Sequence, residues 1–329
     1  MDTIVLDKLH EEGLISDASF TKLKGKQGDT LLSVHWEIKM LLYLGILLLT
    51  TGISILVYKN IDSIGHTFIL MFIALVCTGC FYYCFKHKSP FSTAKVAAPN
   101  SFFDYILVLA CCTLVTFIGY LQFQYNLFGS NYGLAVFIPM VLLFFCAYYF
   151  DHLGVLSMAI INLAAWVQIS ITPISLLETN DFNSPQVIIT GIALGILLII
   201  AARATKKMKV KEHFEFCYAN FGTNVLFVFL LAALFLFEQF YLPWFGAILV
   251  VAFFLYRKAS LDKSFYFVLI ITGYTYIGTS YVVLKWLEQL TGFSEASLYA
   301  GFFYFIISAI AVAMFLIRSN KKLKRHDIV

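Results

Sequence analysis

The sequence predicts an all-α, polytopic integral membrane bundle of about ten transmembrane helices. Hydrophobic residues make up 60% of the 329-residue chain and charged residues 13%, whereas a soluble domain has about 45–50% and about 25%. The apolar residues are gathered into long runs that recur from residue 38 to near the end of the chain. The basic residues are concentrated in alternate connections between these runs, as they are in membrane proteins with a defined orientation.

The first of these runs, residues 38–58, sets the pattern for the others. A helix of about 20 residues, rising 1.5 Å per residue, crosses the roughly 30 Å hydrocarbon core of a bilayer. The run has this length, and its only charged residue, Lys39, lies at its edge. The residues before it contain no apolar segment that ends in a cleavage site, so we expect the first span itself to start insertion.

Nine similar runs follow, some separated only by tight turns. Residues 151–154 separate the fourth from the fifth, and Pro243 lies at the start of the eighth, where proline is tolerated. The fifth, sixth and eighth runs are short. The ten predicted spans cover residues 38–58, 66–85, 105–123, 132–150, 155–171, 186–202, 216–237, 241–256, 265–286 and 297–317. They form a transmembrane domain at residues 36–317, which a basic cytoplasmic tail follows at residues 318–329.

Residues 1–35 are predicted to form a short cytoplasmic helical hairpin ahead of the first span. Its first helix would end at Gly13, where a glycine is favoured after a helix C-terminus. Ser16 or Asp17 can cap the second helix. The segment is near neutral in charge, which does not favour nucleic-acid binding.

The distribution of basic residues predicts the orientation. With the N-terminus in the cytoplasm, 21 of the 23 Lys and Arg residues lie on the cytoplasmic side, and Lys59 and Lys285 lie outside. Because cytoplasmic loops retain positive charge, we predict that both termini are cytoplasmic. One missed span would move all later basic connections to the other side of the membrane. The uneven distribution of basic residues therefore also supports an even number of spans.

Short motifs around the first span carry a family resemblance. Residues 12–16 read EGLIS, Trp36 precedes the span, and residues 44–48 read LGILL within it. The exit at residues 58–62, YKNID, is similar to the family's Asn-Trp-Asp exit with Ile61 in place of tryptophan. With these motifs, about the first 90 residues resemble a family of bacterial multi-span proteins, the predicted membrane proteins called DUF2157. The resemblance implies a protein of the bacterial inner (cytoplasmic) membrane. Because that family has no established activity, it transfers no catalytic residue.

Ionisable residues are almost absent from the middle of the spans. Asp104, Glu238 and Lys285 all lie at span ends. Because proton- and ion-coupled carriers usually need a buried carboxylate, the class of proton- or ion-coupled transporters loses support.

The remaining polar residues are neutral and lie in spans five, seven and nine. The candidates for a substrate cavity are Asn162, Trp166, Asn220, Asn224, Tyr274 and Tyr281. The alternative is that these side chains hydrogen-bond between helices and hold the bundle together.

The connection after span six is basic and also carries Glu212, His213 and Glu215. We expect it to be an amphipathic segment attracted to anionic lipid, with a metal site as the alternative. The lipid-headgroup candidates are Arg203, Lys206, Lys207, Lys209 and Lys211.

Two further motifs suggest chemistry but have simpler interpretations. Asp151 and His152 form an acid–base-like pair in a turn, where we expect capping and solvation. Cys77, Cys80 and Cys84 share one face of a span, where cysteine packs as a small apolar residue. Because the sequence contains no recognised catalytic or ligand motif, no catalytic residue, metal or cofactor is predicted.

Two functions remain open. The first is a small-molecule or lipid transporter or permease with a neutral polar cavity, in the ten-span format of carriers built from two inverted halves. Self-similarity between the halves is not visible in the sequence. The second is a non-catalytic scaffold or sensor that acts through a protein partner at the cytoplasmic face. An enzyme is not expected, and the only certain partner is the lipid bilayer.

Overall fold

The computed structural model describes Ser16, Phe20 and residues 35–59, 65–129, 131–171, 184–292 and 295–325. Within these ranges the chain is helical and contains no strand. Ten α-helices have their bounds within the described ranges: α1 (His35–Lys59), α2 (His66–His87), α3 (Ser101–Tyr125), α4 (Tyr132–Phe150), α5 (Leu153–Ile171), α6 (Pro185–Met208), α7 (Phe214–Leu236), α8 (Tyr241–Leu261), α9 (Phe265–Thr291) and α10 (Glu295–Arg325). A single 3₁₀ turn, Glu238–Phe240, precedes α8.

The predicted all-α, ten-span fold is confirmed, since ten helices are long and apolar enough to cross a membrane. The hairpin predicted at residues 1–35 lies outside the described residues. Four helices extend five or more residues past the ends of the predicted spans: α6 continues to Met208, α8 to Leu261, α9 to Thr291 and α10 to Arg325. Lysine and arginine are good helix formers, and Leu323 packs on the apolar core. Residues 318–325, predicted to be a tail, therefore continue the last helix.

The chain divides into two compact units, Met1–Ser63 and Ile64–Val329. In the first unit, α1 satisfies its polar side chains internally. Thr51 Oγ1 donates to the carbonyl of Leu47 at 2.8 Å, and Ser54 Oγ donates to the carbonyl of Thr50 at 2.8 Å. A membrane helix needs such bonds because no water is present to satisfy its polar groups.

In the second unit the core consists of two apolar clusters. The first is built by α2–α7 and includes Leu107, Leu143 and Phe214. The second is centred on α7, α8 and α9, and partly buried residues of α6 and α10 pack against it. Because α7 contributes to both clusters, it is the helix around which the second unit is assembled.

Glycines let α6 and α7 approach closely. A Cβ on Gly195 would lie 2.7 Å from the backbone nitrogen of Leu226, and one on Gly222 would lie 3.0 Å from the backbone nitrogen of Ile199. A Cβ on Gly191 would meet the ring of Phe229 at 2.3 Å. The Gly191-x-x-x-Gly195 spacing thus places two small residues of α6 against α7.

Four connections meet at one end of the second unit, which we call the basic end. They are residues 88–100, 151–152, 209–213 and 262–264. Hydrogen bonds and ion pairs connect them or the adjoining helix ends, such as Lys211 N–H to the Thr93 carbonyl at 2.7 Å and Lys206 to Asp262 at 3.3 Å.

Candidate functional site

A cavity of about 410 Å³ lies between α6, α7, α8 and α9 and reaches the basic end. We call it the α6–α9 cavity. Charged side chains surround its mouth, and apolar side chains line its deeper part. The mouth residues are Lys206, Glu215, Lys258 and Asp262. The apolar lining includes Ile199, Ala219, Leu255, Ala259, Phe267 and Ile271.

The four mouth residues form a chain of ion pairs with alternating charge. Glu215 accepts from Lys258 Nζ at 3.1 Å and from Lys206 Nζ at 3.4 Å. Lys206 Nζ also lies 3.3 Å from Asp262 Oδ1. The Lys206 side chain is 48% exposed and that of Asp262 39%, and such exposed pairs are worth only about 0–1 kcal/mol. The Lys206–Asp262 pair can therefore be exchanged for contacts with a charged guest.

The cavity differs from the neutral polar cavity that the sequence predicted. Its polar groups are ionic and lie at the mouth, and its depth is mostly apolar, with the Thr223 side chain as a polar exception. This arrangement suits an amphiphile, because a charged head can pair at the mouth while an apolar body leaves water. Pockets for small ligands are about 300–1,000 Å³, so the volume is sufficient for one.

Three of the six cavity candidates come together beside this cavity. Tyr274 OH donates to Asn224 Oδ1 at 3.0 Å, and Asn224 Nδ2 donates to Asn220 Oδ1 at 3.0 Å. Tyr266, which the sequence did not single out, donates from its hydroxyl to the same Asn220 oxygen at 2.9 Å. These four residues form a hydrogen-bonded ladder between α7 and α9. Their polar groups contact one another, as expected of residues that hold helices together.

The other three candidates lie elsewhere. Asn162 Nδ2 donates to the Met158 carbonyl of its own helix at 3.0 Å. Trp166 packs against Phe137 of α4, with ring centroids 5.2 Å apart. Tyr281 packs on Phe235 at the opposite end of α7, with centroids 4.8 Å apart. The structure thus places the candidates of α5 apart from those of α7 and α9.

A buried ionic cluster occupies the basic end, and sequence reasoning missed it. Asp151 Oδ2 lies 3.1 Å from Lys211 Nζ, and Asp151 Oδ1 lies 2.6 Å from His213 Nε2. The Val96 backbone N–H also donates to Asp151 Oδ2 at 2.5 Å. The Lys211 and Asp151 side chains are 1% and 2% exposed. Solvation is therefore the wrong interpretation for Asp151, although its backbone does end α4 with a positive φ of 59°.

This cluster attaches the connection between α2 and α3 to two other turns. Lys211 donates its backbone N–H to Thr93 and its ammonium to the Ala94 carbonyl at 3.4 Å. His152 behaves as expected for a cap, since its Nδ1 accepts the Val155 backbone N–H at 3.1 Å. The cluster thus links three connections of the basic end to one another.

The five lipid-headgroup candidates fall into three groups. Arg203, Lys207 and Lys209 are exposed. Lys206 belongs to the mouth of the α6–α9 cavity. Lys211 is buried with Asp151 and is not presented to the surface.

Metal and thiol chemistry gain no support from the arrangement. Across the described ranges, no group of three or more His, Cys, Asp or Glu side chains could hold a metal ion. The seven cysteines are free, and Cys77 and Cys84 are buried among apolar neighbours.

The fold and these sites define a multi-span, all-helical membrane protein. Residues 7–156 match the family model described as "Predicted membrane protein (DUF2157)". The resemblance noted around the first span is thereby confirmed and extends through α4 into the start of α5. No curated protein and no solved structure matches the chain. The residues of the α6–α9 cavity lie outside the matched segment.

Proposed function

We propose that this membrane protein is a permease for an amphiphilic small molecule or lipid, and that the α6–α9 cavity binds it. The observation that carries the proposal is an ionic mouth above an apolar chamber of about 410 Å³. We further propose that the membrane is a bacterial inner membrane and that the basic end faces the cytoplasm, as the positive-inside rule implies.

The charges at the mouth favour a guest with both signs. Lys206 and Lys258 offer ammonium groups, and Glu215 and Asp262 offer carboxylates. A zwitterionic head satisfies both signs at once, whereas a singly charged head leaves a repulsive partner beside it. A singly charged head would leave the mouth residues of its own sign partly desolvated and without a partner, which lowers the affinity.

Binding is tested with the purified full-length protein and two soluble short-chain phospholipids. Calorimetry with dihexanoyl phosphatidylcholine is expected to give saturable binding, and dihexanoyl phosphatidylglycerol is expected to bind more weakly. Glu215→Gln, which removes the central carboxylate of the mouth, should weaken phosphatidylcholine binding by up to about fivefold. The choline group has no N–H, so the loss is that of an ion contact, worth about 0–1 kcal/mol near the surface. Ala219→Leu, which fills the chamber, should weaken binding of both lipids.

Two variants serve as controls. Glu238→Gln removes a carboxylate at the opposite end of the helices, where its side chain is 74% exposed, and should bind as the wild type does. Tyr274→Phe removes one bond of the α7–α9 ladder and should leave the affinity within about twofold, because the ladder is assigned to helix packing. The proposal would be overturned in favour of a scaffold if the wild type showed no saturable binding. It would also be overturned if the Glu215→Gln and Ala219→Leu variants bound phosphatidylcholine as tightly as the wild type does.

Movement of the bound molecule is tested separately in proteoliposomes. A fluorescent phosphatidylcholine in the inner leaflet is protected from an impermeant quencher until it crosses. Wild-type protein should accelerate its loss of protection, and Ala219→Leu should abolish the acceleration. If binding is seen without acceleration, the cavity is a lipid sensor site and the permease proposal fails.

A further inference from the structure

An open groove of about 530 Å³ runs along α8, α9 and α10. We call it the α8–α10 groove. It is a separate opening that adjoins the α6–α9 cavity, since Ile271 of α9 contributes to both walls. On α8 it is lined by residues such as Phe253 and Tyr256, and on α10 by Tyr304, Ser308, Ala311 and Phe315.

Most hydroxyl groups in the groove wall already have partners inside the protein. The hydroxyls of Thr272 and Thr275 each donate to the carbonyl four residues earlier at 2.7 Å. Tyr276 and Ser308 hydrogen-bond to each other at 3.0 Å, which joins α9 to α10. Because these groups are satisfied, the groove offers a guest mainly alkyl and aromatic surface. That surface suits a hydrocarbon chain better than a polar solute.

The length of the groove matches one leaflet. On α10 it extends from Tyr304 to Phe315, which is about 16 Å at a rise of 1.5 Å per residue. The hydrocarbon core of a bilayer is roughly 30 Å thick, so the groove covers about half of it. At its end nearer the basic residues, the rings of Tyr256 and Phe315 lie 5.9 Å apart.

Beyond this end the same face of α10 becomes basic. The groove residues 304, 308, 311 and 315 recur every three or four positions, as one face of a helix does. Continuing this spacing leads to Arg318 and Lys322, whose side chains are exposed. In the part of the chain that the structure describes, neither forms an ion pair. The groove is thus followed directly by two exposed cations that have no ion-pair partner among the described residues.

We propose that the α8–α10 groove binds an anionic phospholipid, with an acyl chain along α10 and the phosphate at Arg318 and Lys322. The charge of these residues selects an anionic head, in contrast to the zwitterionic guest of the α6–α9 cavity. The apolar wall and the one-leaflet depth select a lipid chain. The site is a binding site for membrane lipid and does not depend on the permease proposal.

The test uses full-length protein in nanodiscs that contain phosphatidylglycerol and phosphatidylcholine with identical acyl chains. After release into detergent, native mass spectrometry measures which lipid stays bound. Wild-type protein is expected to retain one phosphatidylglycerol in preference to phosphatidylcholine. Arg318→Gln with Lys322→Gln should reduce this preference about 30-fold, because each basic residue near the surface contributes about 1 kcal/mol of attraction to an anionic lipid. Ala311→Trp, which fills the groove, should displace the lipid whatever its head.

Matched controls lie on other faces of α10. Lys321→Gln removes an exposed cation off the groove line, and Ala313→Trp places a tryptophan on an exposed surface away from the groove. Both should retain the lipid, and so should the cavity variant Glu215→Gln. Equal retention of the two lipids by the wild type, or retention by Ala311→Trp, would refute the site. A wild-type dimer that Ala311→Trp dissociates would show instead that a second copy fills the groove.

Discussion

Lys211 and Asp151 form an ion pair at 3.1 Å in which both side chains are almost completely buried. The two residues belong to different inter-helix connections, and their contact holds a third connection through Val96 and Thr93. Buried charges are costly unless they are paired and hydrogen-bonded. The pair therefore links three of the connections at the basic end.

Removing one partner of this pair should destabilise the protein strongly. Lys211→Met leaves the Asp151 carboxylate buried with His213 and one backbone N–H, and such a loss costs about 3–5 kcal/mol. The free energy of unfolding in mixed micelles measures the change. Lys209→Met, an exposed neighbour that also has a positive φ, is the control and should change stability by less than about 0.5 kcal/mol.

The double variant Asp151→Asn with Lys211→Met tests whether the cost arises from the unpaired charge. Asparagine tolerates the left-handed backbone of this position, so the substitution removes charge without adding strain. The double variant should be more stable than Lys211→Met alone. If the two are equally unstable, packing around the lysine stem, and not the ion pair, holds the basic end.

The contact between α6 and α7 gives a second prediction. In Gly195→Ala the new Cβ would lie 2.7 Å from the backbone nitrogen of Leu226, and a backbone atom cannot move aside as a side chain can. We expect a loss of about 1–3 kcal/mol, as for overpacking in a core. Gly119→Ala, where nothing lies within 4 Å, is the control and should be neutral or stabilising, since alanine favours a helix. A stable Gly195→Ala would show that the helices separate without cost.

The sequence predicts the helices far better than it predicts the sites. Span positions follow from hydrophobicity, because a bilayer imposes helix length and internal hydrogen bonding. The proximity of Asn220 and Asn224 was also predicted, since the two asparagines share a helix face. The hydrogen bond of Asn224 with Tyr274 depends on how α7 and α9 pack. The pairing of Asp151 with Lys211 was not predicted, because no sequence periodicity relates two turns that meet only through the packing of α4–α7. The cavity mouth was missed for the same reason.

The basic end of the second unit is assigned to the cytoplasmic side from the distribution of Lys and Arg alone. Lys209 lies at the basic end and Gln239 in the turn before α8, and both side chains are exposed. We predict that a membrane-impermeant maleimide labels the Gln239→Cys variant in intact cells. The Lys209→Cys variant should be labelled only after the cells are permeabilised. The native cysteines are in helices, and the unsubstituted protein measures their background. The opposite labelling pattern would place the basic end outside. The anionic-lipid groove would then face the outer leaflet, and the mouth of the α6–α9 cavity would open away from the cytoplasm.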